Sequence, residues 1–223
     1  MSKRPPFTVV NLPCDSHRLR VVFQTRGMAD EEPRRTRAQR DRKIRVLETA
    51  MRMAGEGGYE AVQMRAVAEE SGVALGTIYR YFSGKDELLV AGLAGWLRRT
   101  RRRVEAAGIA GDTPAERLIG LLEQSAKRTQ QRPMLMGALV TALGTTSPAA
   151  TPHKLAAEQE MRAIVVTALG PAPGLDAEGI ARVLAHVWSS SLSRWVSGLA
   201  PDGSLSHELT NAARLLLGVT GRV

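Results

Sequence analysis

The 223-residue chain has one cysteine, Cys14, so no disulfide can close within it and no zinc-binding set of thiolates and imidazoles is present. Only four histidines occur. His17 lies near the N-terminus, His153 just before a helix, His186 on the polar edge of an apolar helix and His207 at a helix start. None is accompanied by a carboxylate pair, a nucleophile motif or a phosphate-binding glycine loop, which argues against an enzyme. No apolar run approaches the ~20 residues that span a bilayer. Residues 1–30 lack the apolar core and small-residue cleavage site of a signal peptide, so a cytoplasmic location is expected. Aromatics make up only 4% of the chain, and β-branched residues rarely alternate. With 43% apolar residues dominated by Ala and Leu, the expected fold is all-α.

Basic charge is abundant and unevenly placed. Positions 34–103 hold 16 basic and 8 acidic residues, against 10 and 10 in 104–223. A basic module joined to a neutral one points to a polyanion partner for the first; a solvated Arg-rich surface is the alternative.

Residues 1–33 show no sustained period and contain Pro5, Pro6, Pro13 and Pro33, which break helices. They read as a flexible arm, and Met28 resembles an ordinary start. A first helix is expected over about 36–55, with Ile44, Leu47, Met51 and Ala54 on one face and Gly55, Gly57 and Gly58 stopping it. Short helices follow over about 64–71 and 75–82, separated by Gly72, a residue at ease in a left-handed turn. Helix, tight turn and helix is the helix-turn-helix pattern. A fourth helix over about 85–105 ends in "RRTRRR", whose arginines suit a helix C-terminus or a solvated face. Beyond Gly111 every segment reads as helix. Thr113 and Glu116 form a capping box, Thr151-Pro152 starts a helix, Asp176 caps a long one and Ser206 caps the last.

The chemistry concentrates in "GTIYRYF". Ile78 and Phe82 are an i, i+4 pair for the core. Thr77, Arg80 and Tyr81 then project elsewhere, with Tyr79 at the rim. Such a helix fits the major groove, where Arg80 can donate to guanine O6 and N7 and Thr77 can meet a thymine methyl or a phosphate. Tyrosine hydroxyls and Lys85 suit phosphates, and Gly76 keeps the entering end slim. The alternative is a polar face that meets only water.

The run "GYEAVQMRAVAEESGVALGTIYRYFSGKDELL" resembles the N-terminal module of the TetR family of transcriptional regulators. The matching pieces are Gly58-Tyr59, "MRAVAEESGV", "GTIYRYF" and "KDELL". The resemblance implies a homodimeric binder of double-stranded DNA operators, usually a repressor, with a ligand-sensing helical domain. Transferred by position, Arg65 contacts a base or phosphate, Thr77 and Arg80 face base edges, and Tyr79, Tyr81 and Lys85 grip phosphates. Leu75 replaces a residue that is often polar, so an apolar contact to a thymine methyl is expected there. "GGYEAVQMRAVA", "LLVAGL" and "ARVLAHVW" are further similar to the actinobacterial repressors of cholesterol and steroid breakdown, whose inducer is a steroid acid carried as a coenzyme A thioester.

The expected organisation is an arm over 1–33, a DNA-binding domain over 34–84 and a ligand-binding and dimerisation domain over 85–223. In the last of these, "PMLMGALVTALG" supplies Met134, Met136, Leu139 and Leu143, and a later helix supplies Trp188, Leu192 and Trp195, as the lining for an apolar ligand. A steroid acyl-coenzyme A is the first expectation, and a fatty acyl-coenzyme A or a multidrug-type apolar compound is the alternative. Leu209, Ala213, Leu216 and Leu217 are the expected dimer surface. No cofactor and no membrane are called for. A ligand-independent DNA-binding protein is the rival reading; the neutral second part, larger than the reader, argues against it.

Overall fold

The computed structural model describes residues 34–219, with side chains from Thr36, and is built of helices. The expectations for 1–33 lie outside the described residues. The chain order is α1 (Arg34–Ala61), α2 (Met64–Ser71), α3 (Leu75–Tyr81), α4 (Lys85–Ala107), α5 (Pro114–Gln130), α6 (Pro133–Leu143), a 3-10 turn (Pro148–Ala150), α7 (Thr151–Leu169), α8 (Ala177–Val196) and α9 (Ser204–Leu217).

Helix α1 is longer at both ends than the sequence pattern suggests. Gly55 and Gly57 stay helical, and the break falls at Gly58, with φ 73° and ψ −164°. The face turned inward carries Val46, Ala50 and Ala54, all fully buried, whereas Ile44 is exposed. The reason is a shift of one edge: the apolar stripe winds toward Val46, and the first turns of α1 run beyond the core. Helix α2 ends on Gly72 in the left-handed region (φ 65°), and Val73 N–H returns to Ala68 O at 3.2 Å. This closes the tight corner between α2 and α3. Arg52 pairs with Glu56 at 2.6 Å and with Glu70, tying α1 to α2.

Helix α4 leaves the three-helix head and packs against α1, α6 and α7. Its inner face holds Leu88, Leu89, Leu93 and Leu97, with Trp96 half-buried. The expected arginine-rich C-terminus is corrected: α4 continues to Ala107, and its last turn holds no basic residue. Arg98 and Arg101 instead reach across to Glu160 of α7, at 3.0 and 2.6 Å.

In the C-terminal bundle, Thr113 and Glu116 form the expected capping box and Pro114 opens α5. Asp176 caps α8 by accepting from Gly179 N–H at 2.8 Å. Helix α9 starts three residues earlier than expected: Gly203, at φ 89°, is its N-cap in place of Ser206. Arg117 of α5 donates to Ala168 O and Leu169 O at 2.9 and 2.8 Å, closing the carbonyl end of α7. Buried apolar side chains form a core that runs from Val46 of α1 to Ala213 of α9. The head and the bundle therefore share packing through α1, α4 and α6. Among the described residues no helix is long and apolar enough to cross a membrane.

Candidate nucleic-acid interface

Helix α3 has seven residues, and Ile78 is its one fully buried side chain. Phe82, at its C-cap, is 1% exposed. Together they anchor the helix from below, which turns its other faces outward. Tyr79 is 51% exposed and Arg80 is exposed, its guanidinium 5.8 Å from the Tyr81 ring. Thr77 and Tyr81 are half-buried, and Leu75 is half-buried against the core. Part of Leu75 therefore holds α3 to the head, which accounts for an apolar residue at that position without appeal to DNA. Gly76 is exposed, and a Cβ built on it meets nothing within 4 Å. The protein itself has room for a side chain there; a steric reason for glycine would come from outside.

Arg65, on α2, is exposed and makes no ion pair or hydrogen bond with the described residues. Lys85, at the start of α4, is half-buried. Its Nζ sits 3.2 Å from Glu60 and 3.8 Å from the centroid of the Tyr59 ring. Tyr59 donates its hydroxyl to Asp86, and burial first, then this bond, pushes the phenol up to about 12. The phenol thus stays protonated and holds the α1 end to the α4 start. Glu60 is the outer, 82% exposed member. A phosphate replacing Glu60 would face an ammonium already aimed by the ring, at little cost because exposed pairs are weak.

The first turns of α1 add charge to this end. Positions 34–45 carry seven basic residues and one acid, Asp41. Residues 36–42 are all exposed, and Lys43 Nζ lies 5.2 Å from the Phe82 ring. The side chains of Arg37, Arg40, Arg42 and Arg45 are exposed, so basic charge projects from this helix end.

The expected ligand lining divides. Met136 and Leu139 are buried on α6, Leu192 is buried on α8, and Leu143, Trp188 and Trp195 are half-buried against the core. Met134 is 49% exposed and lies beside the α1 break, where a Cβ on Gly58 would meet its Cε at 3.2 Å. It sits at a contact between α6 and α1, half in solvent, while Leu135 and Met136 of the same turn are buried. Trp195 donates Nε1–H to Asp202 at 2.9 Å. Two open clefts stand out among the described residues. One, of about 300 Å³, lies between the α5 start, the α7–α8 loop and Leu217; the other, of about 230 Å³, lies between α1 and α2. Neither is lined by the seven residues above.

The expected dimer surface also divides. Leu209 and Ala213 are fully buried within the protomer, because α9 uses that face against α5 and α8. They are corrected to subunit core. Leu217 is half-buried, Leu216 is 37% exposed and Leu215 is 75% exposed.

Two clusters escape sequence inspection because their partners are distant in the chain. In one, Glu160 is held below the usual carboxylate range: burial would raise it, but hydrogen bonds from Arg101 and Arg98 outweigh that. In the other, His153 lies in the first turn of α7, not before it, and faces Glu87 of α4 at 3.5 Å.

A head whose second and third helices meet at a tight corner, with an exposed arginine and tyrosine on the third, defines a helix-turn-helix DNA-binding protein carrying a separate helical bundle. The chain belongs to the TetR family of bacterial regulatory proteins. Residues 46–91 match that family's N-terminal model, and residues 111–216 match the tetracyclin repressor-like C-terminal domain. It is 36% identical over 200 residues to the HTH-type transcriptional repressor KstR of Mycobacterium tuberculosis, covering 89% of this chain and 90% of that one. The KstR of Rhodococcus jostii is 35% identical over 191 residues, 84% and 88% of the two chains. Among solved structures, a TetR transcriptional regulator from Rhodococcus sp. RHA1 superposes with a TM-score of 0.71 at 27% identity, covering 83% of this chain and all of that one. Thermus thermophilus FadR, a TetR-family repressor solved with lauroyl-CoA, shares the fold with a TM-score of 0.61 at 23% identity, covering 81% and 96%.

Proposed function

We propose that this protein is a transcriptional repressor that binds its operator as a homodimer through α3 and is released by a bulky apolar ligand in the C-terminal bundle. The observation that carries the first half is α3 itself: anchored by Ile78 and Phe82, with Thr77, Tyr79 and Arg80 left for another molecule. Arg80 and Thr77 read bases, while Arg65, Tyr79, Tyr81, Lys85 and the basic first turns of α1 hold phosphates. A single seven-residue helix reads few base pairs, so two copies about one DNA turn apart, roughly 34–36 Å, are required. In this division, 34–84 is the reader and 85–223 the sensor and dimer module. The second copy packs on α8 and α9, where Val183, Leu215 and Leu216 stay exposed beyond the α8–α9 seam.

Similarity to KstR over most of the chain supports a steroid- or lipid-related inducer, with a steroid acyl-coenzyme A as the first candidate. Such a ligand must favour the DNA-incompetent arrangement, because equal affinity for both arrangements shifts nothing. The test is selection of duplexes from a random library by the purified protein, followed by titration of the complex with a steroid acyl-coenzyme A, a fatty acyl-coenzyme A and the free acids. An enriched palindrome bound by a dimer and released by one of these is the expected result. Failure to enrich any sequence defeats the regulator reading, and enrichment without release by any of the four defeats only the lipid-sensor reading.

A further inference from the structure

Outside the groups assigned above, one cluster joins the bundle directly to the exit of the recognition helix. Ser83 follows Phe82, the C-cap of α3, whose N–H bonds Ile78 O at 2.9 Å. Glu87, in the first turn of α4, accepts from Ser83 N–H at 2.6 Å and from the Ser83 hydroxyl at 2.8 Å through Oε2. Its other oxygen, Oε1, faces His153 Nε2 at 3.5 Å. One carboxylate therefore touches both the corner after α3 and a side chain of α7.

We propose that His153 is a positioning residue: from α7 it holds Glu87, and through Glu87 it sets the corner that fixes the angle of α3 on the operator. At 3.5 Å the contact is longer than the usual N–H···O range, so a small movement of α7 tightens or opens it. The backbone that carries His153 is itself anchored. Ala150 of the preceding 3-10 turn is fully buried, and Lys154 Nζ donates to Thr145 O at 2.5 Å. The His153 ring also lies 6.4 Å from the Phe82 ring, tilted by 50°, and Lys43 of α1 approaches Phe82 as well. Burial first, and Lys43 next, hold the imidazole below its ordinary value, while Glu87 pulls the other way. Near neutral pH the ring is thus uncharged and keeps one N–H to donate, so a hydrogen bond rather than a full charge pair carries the link.

This inference rests on the DNA-binding reading and is independent of which ligand enters the bundle. The test uses the full chain, the duplex that the wild-type protein enriches and a scrambled duplex of equal length. H153A is expected to weaken the enriched duplex about tenfold and the scrambled one by less than about twofold. H153Q, which restores a donor, retains wild-type affinity. In a double-mutant cycle, H153A adds nothing once E87A, which removes the acceptor, is present. H153M, which keeps bulk without a donor, replaces the Ala variant should that one not fold. Equal loss on both duplexes, no loss in either donor-free variant, or H153Q behaving like H153A would overturn the proposal. A wild-type protein that enriches no duplex removes the DNA-binding reading and this one together.

Discussion

Helices α3 and α6 are both short, and they use their side chains in opposite ways. Helix α3 buries only Ile78 and leaves Tyr79 and Arg80 in solvent. Helix α6 buries Leu135, Met136, Ala138, Leu139 and Ala142 and turns Met134 against the α1 break. One helix is held by a small anchor so that the rest can meet another molecule. The other sits between α1, α4 and α8 and has little surface left. A change on α3 should thus be readable in DNA binding without much change in stability, except at its anchor. A change on α6 should be readable in stability almost everywhere.

The sharpest test pairs the two anchors. Ile78→Ala and Leu139→Ala each remove buried apolar volume, and each is expected to cost about 2–5 kcal/mol in chemical denaturation. I78A should also abolish sequence-specific binding, because it leaves only Phe82, at the C-cap, to hold α3. L139A should leave the folded fraction able to bind DNA. If L139A lost specific binding while still fully folded, α6 would be part of the reading end and the contrast would fail.

Next come the outward residues of α3 and its neighbour. Arg80→Ala is expected to weaken the preferred duplex by about 1–3 kcal/mol and to relax the preference at one base pair, with stability unchanged. Lys85→Ala should weaken every duplex alike and lower the dependence of log affinity on log salt by about one. Equal losses on specific and scrambled duplexes for Arg80→Ala would reassign it to the phosphates.

The same contrast explains what sequence alone could convey. Local patterns were legible. Ile78 and Phe82, the left-handed Gly72, the Thr113–Glu116 box and the Asp176 cap all act within four residues of chain, and each was readable from spacing. The outward face of α3 was legible for the same reason: it is set by a short-range i, i+4 anchor. Features that depend on which element packs against which were not. Leu209 and Ala213 have the stripe of an interface, but a stripe does not say whether α5 of the same chain or a second copy covers it. Ile44 fits helical spacing, yet the core edge lies at Val46 because α1 runs past the bundle. Arg98, Arg101, Lys85 and His153 find their carboxylates 62, 59, 25 and 66 positions away in the chain, counted from their numbers. No periodicity encodes such pairings.

The smallest expected effect lies between the two regions, at Glu160. Its carboxylate is 12% exposed and accepts from Arg98 and Arg101 of α4, so it links the helix that leaves the head to α7 of the bundle. Arg98 is 49% exposed, and solvent screening discounts its share. Glu160→Gln keeps the shape and one acceptor, so a loss of only about 1 kcal/mol is expected at neutral pH. In a domain of this size that lowers Tm by roughly 2–4 °C. The pH dependence has a definite sign. The folded state holds Glu160 below its ordinary value near 4.5. Its contribution is therefore complete above that value and is lost as pH falls through the lowered one. Wild type and E160Q should differ most near neutrality and converge in acid, with operator affinity equal throughout. A gap in Tm that persisted unchanged down to acid pH would mean that the ion pair contributes nothing and that the substitution acts through packing alone.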